Sequence, residues 1–460
     1  MTERTVSTDS SPTLANEAAK VVDDKFDKVD TANLDKEKSP SLEPPTPAPT
    51  HSPPPDGGRE AWLVILSTAL VLFTMFGLMT SFGQLMLYYM EHQLRNSSKS
   101  DIAWISSVQG GVMFMGSTLS GRVFDVYGTK WLVRIGTTSS FAALIAIAFC
   151  KEYYQFMLAH LFFGLAGAFV YSPCTAIAGH WFAKRRSTAM GVILAGTGLA
   201  GVLYPIVLAR LFARFSFRDS MLIVAGINAL LMAPSWVWMK ARLPPKTPPP
   251  WADLLKPWRE PPYAFLAAGA ALVMLNWFTP YFQAPLYTSA SGLEAKYTTY
   301  AVTLVQAGAT VGRLGGGILA DHFGAWRMFF AFGTATAVSL FAFWTVFPTP
   351  TPVAVIGLVS YGLTSGAYVT LVAGACATVS PLPELGMRMG MVWTLGGAMS
   401  LVGPAISGQL IERAGGRFTY AAIWAGCTIL AGVWIANAPK ILLVARRVFG
   451  SRKEEQQSPA

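Results

Sequence analysis

The chain has 460 residues, of which 52% are hydrophobic and only 13% are charged, whereas a soluble globular protein carries about 25% charged residues. The formal net charge of +10 does not indicate a nucleic-acid-binding protein, because residues 1–60 are net acidic and the other basic residues lie mainly between long apolar segments. The composition therefore predicts an all-α integral membrane protein whose partner is the lipid bilayer, with no nucleic acid.

The first 60 residues are rich in Ser, Thr, Pro, Asp and Lys, with 12 acidic against 7 basic side chains. Such a segment buries too little apolar surface to offset the entropic cost of ordering it. We predict a disordered cytoplasmic tail over residues 1–60. The first apolar run starts near Ala61, so the first helix is expected to act as its own insertion signal.

Twelve apolar segments follow the tail. A bilayer core about 30 Å thick needs roughly 20 apolar residues per helix, and these segments have that length and are apolar on every face. The predicted helices are 61–90, 102–121, 131–149, 156–180, 188–212, 219–239, 263–289, 298–320, 328–347, 352–378, 388–411 and 418–439. They predict two six-helix bundles, 61–240 and 263–447, with a cytoplasmic linker over 241–262 and a cytoplasmic tail over 448–460.

The distribution of basic residues predicts which side of the membrane each loop occupies. With the N-terminus inside, the five inner loops carry 13 Lys and Arg and the six outer loops carry 9, as the positive-inside rule requires. This favours a multi-pass plasma-membrane protein with both termini in the cytoplasm. The sequon at Asn96 then falls in the first external loop, where it predicts a glycosylation site.

The cysteines indicate neither a cofactor nor a disulfide framework. Cys150, Cys174, Cys376 and Cys427 lie in or at the ends of apolar segments without paired spacing. The sequence also lacks a cluster of His, Cys and carboxylates from which a reactive centre could be built. We expect no metal, no cofactor and no enzymatic activity.

An internal repeat relates the two halves. Residues 121–130 (GRVFDVYGTK) and 317–327 (GILADHFGAWR) each place an aspartate four residues after a glycine, a second glycine three residues later, and a basic residue beyond it. The copies are 196 residues apart. A second repeat pairs Gly191, Gly198 and Pro205 with Gly390, Gly397 and Pro404, 199 residues apart. The halves are therefore predicted to be related structures, as in transporters built from repeats.

The duplicated loop resembles the signature of the major facilitator superfamily, over about residues 56–447. The entry to the first helix, Asp56-Gly57-Gly58-Arg59-Glu60-Ala61-Trp62 after a proline run, is similar to the acidic–Gly–Gly–aromatic entry of the monocarboxylate transporter (monocarboxylate porter) family, in its fungal branch. Members of that branch include carboxylate and riboflavin transporters and exporters from secondary-metabolite gene clusters. The resemblance implies a major facilitator superfamily fold and alternating access.

The aspartates of the repeat, Asp125 and Asp321, are predicted to lie at cytoplasmic helix ends, where a carboxylate can accept backbone N–H groups and pair with Arg or Lys. The resemblance implies that these loops, with Arg122, Lys130 and Arg327, latch the halves in the outward-facing state. The alternative interpretation is that the three basic residues only anchor the topology.

Arg313 is a charge inside the eighth predicted helix. A central arginine costs about 2.5–3.5 kcal/mol on insertion scales and usually faces a cavity. The resemblance implies that it binds a substrate carboxylate, which suits its bidentate fork. The alternatives are snorkelling towards the cytoplasm or pairing with Asp321. This chain carries Ala309 where proton-coupled animal relatives have an aspartate, and it lacks their lysine late in helix 1, so that proton relay cannot operate here.

The resemblance also implies that helices 1, 4, 7 and 10 line a central cavity. Their polar and aromatic residues are candidate substrate contacts, although each alone is more often a helix–helix hydrogen bond. The candidates are Gln84, Tyr171, Asn276, Tyr281 and Tyr361, with Gln306 of helix 8 as a further one.

The sequence thus predicts a secondary-active or facilitative transporter of a small organic acid or secondary metabolite, working as an exporter, with protons as a candidate coupling ion. An uptake carrier for a monocarboxylate or riboflavin is the first alternative. A transporter-derived membrane sensor is the second, although long cytoplasmic extensions would favour it and the predicted tails are short.

Overall fold

The structure is a computed structural model, and it describes residues 54–244 and 250–456. The described part of the chain forms twelve long helices. In chain order they are α1 (Arg59–Glu91), α2 (Lys99–Met115 and Ser117–Tyr127), α3 (Lys130–Phe149), α4 (Tyr153–Trp181), α5 (Arg186–Phe212), α6 (Phe217–Trp238), α7 (Pro261–Ala290), α8 (Ala295–Phe323), α9 (Ala325–Trp344), α10 (Thr351–Thr378), α11 (Leu382–Arg413) and α12 (Thr419–Gln456). The predicted all-α, twelve-helix architecture is confirmed.

Ten of these helices are long and apolar enough to cross a membrane, counted over the described residues. The other two are α2 and α8, which occupy matching places in the two halves. Both carry the charged residues of the repeat, and both pack against the opposite half, α2 on α11 and α8 on α5. Because these faces meet protein rather than lipid, they can be less apolar than the helices around them.

Several helices are interrupted near the middle of the bundle. α1 breaks at Ser81, α2 at Gly116 and α7 at Phe278, each time for a single residue. At the first break the hydroxyl of Thr80 donates to the carbonyl oxygen of Phe76, 2.7 Å away. The N–H of Ser81 still donates to the carbonyl oxygen of Gly77, 3.2 Å away, so this backbone group stays bonded at the break. The breaks in α1 and α7 are 197 residues apart, so they too follow the repeat.

The halves, α1–α6 and α7–α12, meet along α2/α11 and α5/α8, and glycines allow the backbones to touch there. A Cβ on Gly121 of α2 would lie 2.0 Å from the carbonyl oxygen of Gly386 in α11. A Cβ on Gly317 of α8 would lie 2.4 Å from the carbonyl oxygen of Ser187 in α5. Gly121 and Gly317 are the repeat-related first glycines of the two loops, so the repeat preserves two equivalent close contacts.

The structure describes only part of the predicted tails and linker. Of the expected tail over residues 1–60, residues 1–53 lie outside the described residues, and α1 already begins at Arg59. The linker over 241–262 contains two short 3-10 helices, Trp251–Leu255 and Pro257–Arg259. At the other end, α12 continues to Gln456, past the bundle boundary expected at residue 447.

A pair of glycine substitutions in α8 tests the close contact between the halves. Gly317→Ala should lower the melting temperature of the purified protein by several degrees, because its Cβ would meet the backbone of Ser187 rather than a side chain that could move. Gly315→Ala is the matched control, since a Cβ at Gly315 meets no atom within 4 Å and alanine is the better helix former. Equal melting temperatures for the two variants would show that this contact does not limit packing.

Candidate functional site

One end of the bundle is closed by a carboxylate from the first half. Asp125, at the end of α2, accepts the backbone N–H groups of Gly386 at 2.9 Å and of Met387 at 2.7 Å. These residues lie in the first α-helical turn of α11, which starts at Leu385 after the 3-10 turn Leu382–Glu384, in the other half. The first N–H groups of a helix have no partner within the helix and carry a partial positive charge. Asp125 therefore caps a helix that belongs to the opposite bundle.

The second half supplies the equivalent carboxylate. Asp321, near the end of α8, accepts the backbone N–H groups of Ser187 at 3.0 Å and of Thr188 at 2.8 Å, in the first turn of α5. Asp321 is 196 residues from Asp125, and the donor pairs 187–188 and 386–387 are 199 residues apart. The 196-residue offset therefore relates the two acceptors, and the 199-residue offset relates the two pairs of donors, of one duplicated interaction. We call this pair of interactions, made by Asp125 and Asp321, the latch.

The basic residues expected around the latch have different environments. The buried guanidinium of Arg122 lies 4.0 Å from the ring centroid of Trp251 in the linker. Lys130 and Arg327 are exposed, at the starts of α3 and α9. Asp125 and Asp321 each reach the other half through a pair of backbone N–H groups.

Two other arginines at this end form contacts that the sequence did not indicate. Arg186 of α5 donates to the carbonyl oxygen of Ala377 in α10, 3.3 Å away and in the other half. Arg388 of α11 is buried and donates to both carboxylate oxygens of Glu260, at 2.6 and 2.7 Å, and to Glu384. Arg186 therefore adds a direct contact between the halves, while Arg388 ties the start of α7 to α11 within one half.

Arg313 lies in α8 between the halves, with 4% of its surface exposed. Its Nη1 atom is close to Gly198 of α5, where an added Cβ would lie 2.5 Å away. Its Nε and Nη1 atoms are buried without a hydrogen-bond partner in the described part of the chain. The phenols of Tyr171 and Tyr281 lie near it. Asp321, the alternative partner, instead uses its two oxygens to cap α5.

Among the predicted substrate contacts, Tyr171 of α4 and Tyr281 of α7 lie near Arg313. Tyr171 also packs edge-on against Phe114, with ring centroids 5.1 Å apart. The hydroxyl of Tyr281 is 3.0 Å from the hydroxyl of Ser365 in α10. Tyr171 belongs to the first half and Tyr281 to the second, so each half contributes a tyrosine near the cation.

The other predicted contacts are placed differently. The amide of Asn276 is hydrogen-bonded to Thr428, Thr279 and Ser407, at 2.9 to 3.0 Å, so it joins helices within the second half. Tyr361 donates to the carbonyl oxygen of Trp277 at 2.7 Å, also within that half. Gln84 is half-buried in α1, just beyond the break at Ser81. Among the described residues, no hydrogen bond or ring contact joins any of these three side chains to Arg313.

The structure adds one residue that sequence reasoning missed. Trp393 of α11 is 2% exposed, and its indole N–H has no hydrogen-bond partner in the described part of the chain. Its ring lies 5.4 Å from that of Tyr171. Helix 11 was not among the four helices expected to line a cavity, and an unbonded tryptophan N–H leaves no trace in a sequence. Gln306 of α8, named as a further candidate, likewise has a buried side-chain oxygen without a partner.

Comparison with known proteins agrees with this geometry. The profile described as Major Facilitator Superfamily matches residues 61–404. The chain is 32% identical to the MFS transporter asaE of Aspergillus flavus, over 87% of this chain and 90% of that protein. It is also 32% identical to the fujikurins efflux protein of Gibberella fujikuroi, with 86% of each chain covered, and to the aspyridones efflux protein apdF of Emericella nidulans, with 90% and 85% covered. The crystal structure of the human organic anion transporter MFSD10 (TETRAN) superposes with a TM-score of 0.67 at 15% identity, over 83% of this chain and 100% of that one.

Backbone hydrogen exchange can test each cap separately. Asp321→Ala should accelerate amide exchange in the first turn of α5, and Asp125→Ala in the first turn of α11, because loss of a capping side chain typically costs about 1 kcal/mol. Asp219→Ala is the control, since Asp219 bonds with Ser216 at the start of α6 in its own half. Unchanged exchange at α5 and α11 in the two variants would contradict the capping role.

Proposed function

The chain belongs to the Major Facilitator Superfamily and is therefore a membrane transporter rather than an enzyme. From this premise we propose that it exports a small organic acid or secondary metabolite by alternating access. Two of the relatives that it covers over most of their length are named as efflux proteins, for fujikurins and for aspyridones. Those names describe the relatives, and they support export of a metabolite as the function of this chain. The substrate is a small molecule, and the surrounding lipid is the second partner.

Alternating access has a mechanical basis in the latch. While Asp125 and Asp321 cap helices of the opposite half, the two halves are held together at one end of the bundle. Opening that end uncovers four helix N–H groups and two carboxylates. These groups then gain hydrogen bonds to water, so the net cost of opening is small compared with the loss of the bonds themselves. A device of this kind can hold a closed state and still release it in each transport cycle.

The observation that carries the substrate class is the state of Arg313. A buried guanidinium with unpartnered N–H groups is costly, and a substrate anion would supply the missing acceptors in a bidentate geometry. The rings of Tyr171, Phe114 and Trp393 would meet an apolar or aromatic body. The indole N–H of Trp393 would bond a further acceptor on it. We therefore assign Arg313, Tyr171, Tyr281 and Trp393 to the binding site of an amphipathic organic anion.

The assignment to the monocarboxylate porter branch is part of the same proposal. It is supported by the Asp56-Gly57-Gly58 entry and by Arg313 in α8. Ala309 departs from the proton-coupled members, and it packs so closely on α10 that a Cβ on Gly366 would lie 2.4 Å from its carbonyl oxygen. Protons remain a candidate coupling ion through other groups. Uptake of a monocarboxylate or riboflavin, and a transporter-derived sensor, are the alternatives.

We also propose an orientation in the membrane. The excess of basic residues in the loops at the latch end supports a plasma-membrane protein with the latch and both termini in the cytoplasm. The opposite end contains Asn96, which is exposed in the loop between α1 and α2. In that orientation the latched form of the protein is closed towards the cytoplasm and corresponds to the outward-facing state. The gating role of Arg122, Lys130 and Arg327 belongs to this proposal.

Substitution of Arg313 tests the binding site. In proteoliposomes, Arg313→Ala should reduce transport of radiolabelled aromatic carboxylates at least about tenfold, because the buried cation that pairs with the carboxylate is lost. Arg313→Lys should retain part of the activity, since the charge remains but the fork is gone. The matched neutral amides of the same acids serve as control substrates. Wild-type transport of a carboxylate by Arg313→Ala would rule out the anion-binding role, and measurements with and without a pH gradient would show whether protons are coupled.

Glycosylation of Asn96 tests the orientation. Expressed in a fungal host, the wild-type protein should shift to a smaller apparent mass after endoglycosidase treatment, because the sequon would face the lumen during insertion. Asn96→Gln should migrate like the treated protein with or without the enzyme. An untreated wild-type protein that already migrates with Asn96→Gln would show that this site carries no glycan.

A further inference from the structure

The acidic residue that precedes α1 has a specific place in the structure. Asp56 adopts a φ of 53°, in the left-handed region that is uncommon for residues other than glycine and in which Asp is enriched. Gly57 and Gly58 follow with φ of 156° and 90°, and α1 begins at Arg59. This run of positive φ turns the entry of α1 back towards the short loop between α4 and α5.

Three hydrogen bonds join Asp56 to that loop. Its side-chain Oδ1 accepts the backbone N–H groups of Ala183 at 2.5 Å and of Lys184 at 2.7 Å. Its own N–H donates to the carbonyl oxygen of Trp181, 3.1 Å away. The residues between α4 and α5 are thus fixed to the start of α1 through backbone groups, whatever side chains the loop carries.

The same stretch of backbone leads directly into the latch. Three residues after Lys184 comes Ser187, whose N–H is donated to Asp321 of the other half. Arg186 stands between the two acids and interacts electrostatically with both Asp56 and Asp321. Within six residues, the chain therefore presents two pairs of N–H groups to two carboxylates, one from its own half and one from the opposite half.

The second half holds its latch helix in a different way. Glu260 directly precedes α7, much as Asp56 lies near the start of α1, and it binds the guanidinium of Arg388 in α11. Each half thus ties the entry of its first helix to the base of its fifth. In the first half the tie is a carboxylate on backbone N–H groups, and in the second half it is an ion pair between side chains.

We propose that Asp56 is a positioning residue of the latch. By ordering the α4–α5 loop, it fixes the first turn of α5 so that Ser187 and Thr188 present their N–H groups to Asp321. Removing its carboxylate weakens the latch although Asp56 touches neither the other half nor the substrate. The proposal rests on alternating access as the proposed function, but it concerns the latched state itself and not the identity of the cargo.

The test uses cysteine reporters in the full-length protein. Cys150, Cys174, Cys376 and Cys427 are replaced by alanine, and one reporter is introduced as Ser187→Cys or as Ser117→Cys. Both serines are buried where the halves meet, since Ser187 contacts Gly317 and Ser117 contacts Gly390. Ser187 lies at the latch, and Ser117 lies eight residues before Asp125, deeper between the halves. The rate of reaction with a water-soluble maleimide in proteoliposomes, without substrate, then reports how often the interface between the halves opens to water.

We expect Asp56→Ala to accelerate labelling of both reporters at least about fivefold, the factor that corresponds to about 1 kcal/mol. Asp56→Asn should have a smaller effect, because its amide oxygen still accepts hydrogen bonds. Asp56→Asn also replaces Asp56→Ala as the test variant if the alanine variant folds poorly. Glu60→Gln is the matched control, since Glu60 is exposed in the first turn of α1 and its substitution removes the same negative charge. Its labelling rates should equal those of the parent protein.

Coupling to the latch separates gating from local loosening. In an Asp321→Ala background, Asp56→Ala should add little further acceleration, because the interaction that it supports is already absent. Labelling that rises only at Ser187→Cys, or an equal increase with and without Asp321, would overturn the proposal. Because no substrate is present, failure of the Arg313 site to bind an anion would leave these rates unchanged and can be told apart.

Discussion

The capping of a helix in one half by a carboxylate from the other is the interaction on which this architecture depends. Within a lipid environment the hydrophobic effect does not hold two bundles together, because lipid tails are as apolar as the helix surfaces. Close backbone contact and polar bonds must do so instead. Here the close contacts come from Gly121 and Gly317 and the polar bonds from Asp125 and Asp321, all four in the repeated loops. The repeat therefore preserves an interface between the halves as well as the fold within each half.

The departures from the repeat are as informative as the repeat itself. Ser117 of α2 and Arg313 of α8 occupy equivalent places, 196 residues apart, and the backbone of each lies against a repeat-related glycine, Gly390 or Gly191. The shared framework needs only a backbone that can approach closely, so either side chain is compatible with it. A serine at one copy and an arginine at the other makes the interface electrostatically asymmetric. Arg313 is present in one copy alone, and its Nε and Nη1 atoms lack a hydrogen-bond partner among the described residues, so under the proposed function we assign it to the substrate.

The sequence predicted the fold and the acidic side of the latch, because hydropathy, glycines and aspartates are visible as residue types. It could not predict the partners of those aspartates. The donors are backbone N–H groups of Ser187-Thr188 and Gly386-Met387, which share geometry but no side-chain chemistry. Residue type alone was also insufficient for Asn276, since a polar residue in an apolar helix can face a cavity or a neighbouring helix, and only the structure shows its three hydrogen bonds within the second half. Asp56 was visible as part of a family-like entry, yet its target became evident only when the α4–α5 loop was placed beside it.

The position of α8 links the proposed substrate site to the latch. Arg313 and Asp321 lie on the same helix, eight residues and thus about 12 Å apart along its axis, and Gly317 between them rests on the backbone of Ser187. All three contacts are made with α5. A helix is stiff over this length, so a displacement of α8 that moves the guanidinium of Arg313 away from Gly198 also moves Asp321 relative to the first turn of α5. Under the proposed assignment of Arg313, an anion bound there acts on the same pair of helices that the latch holds. Under the proposed role of Asp56, its carboxylate fixes the α5 side of that pair, so the relative position of α5 and α8 would connect substrate binding to opening.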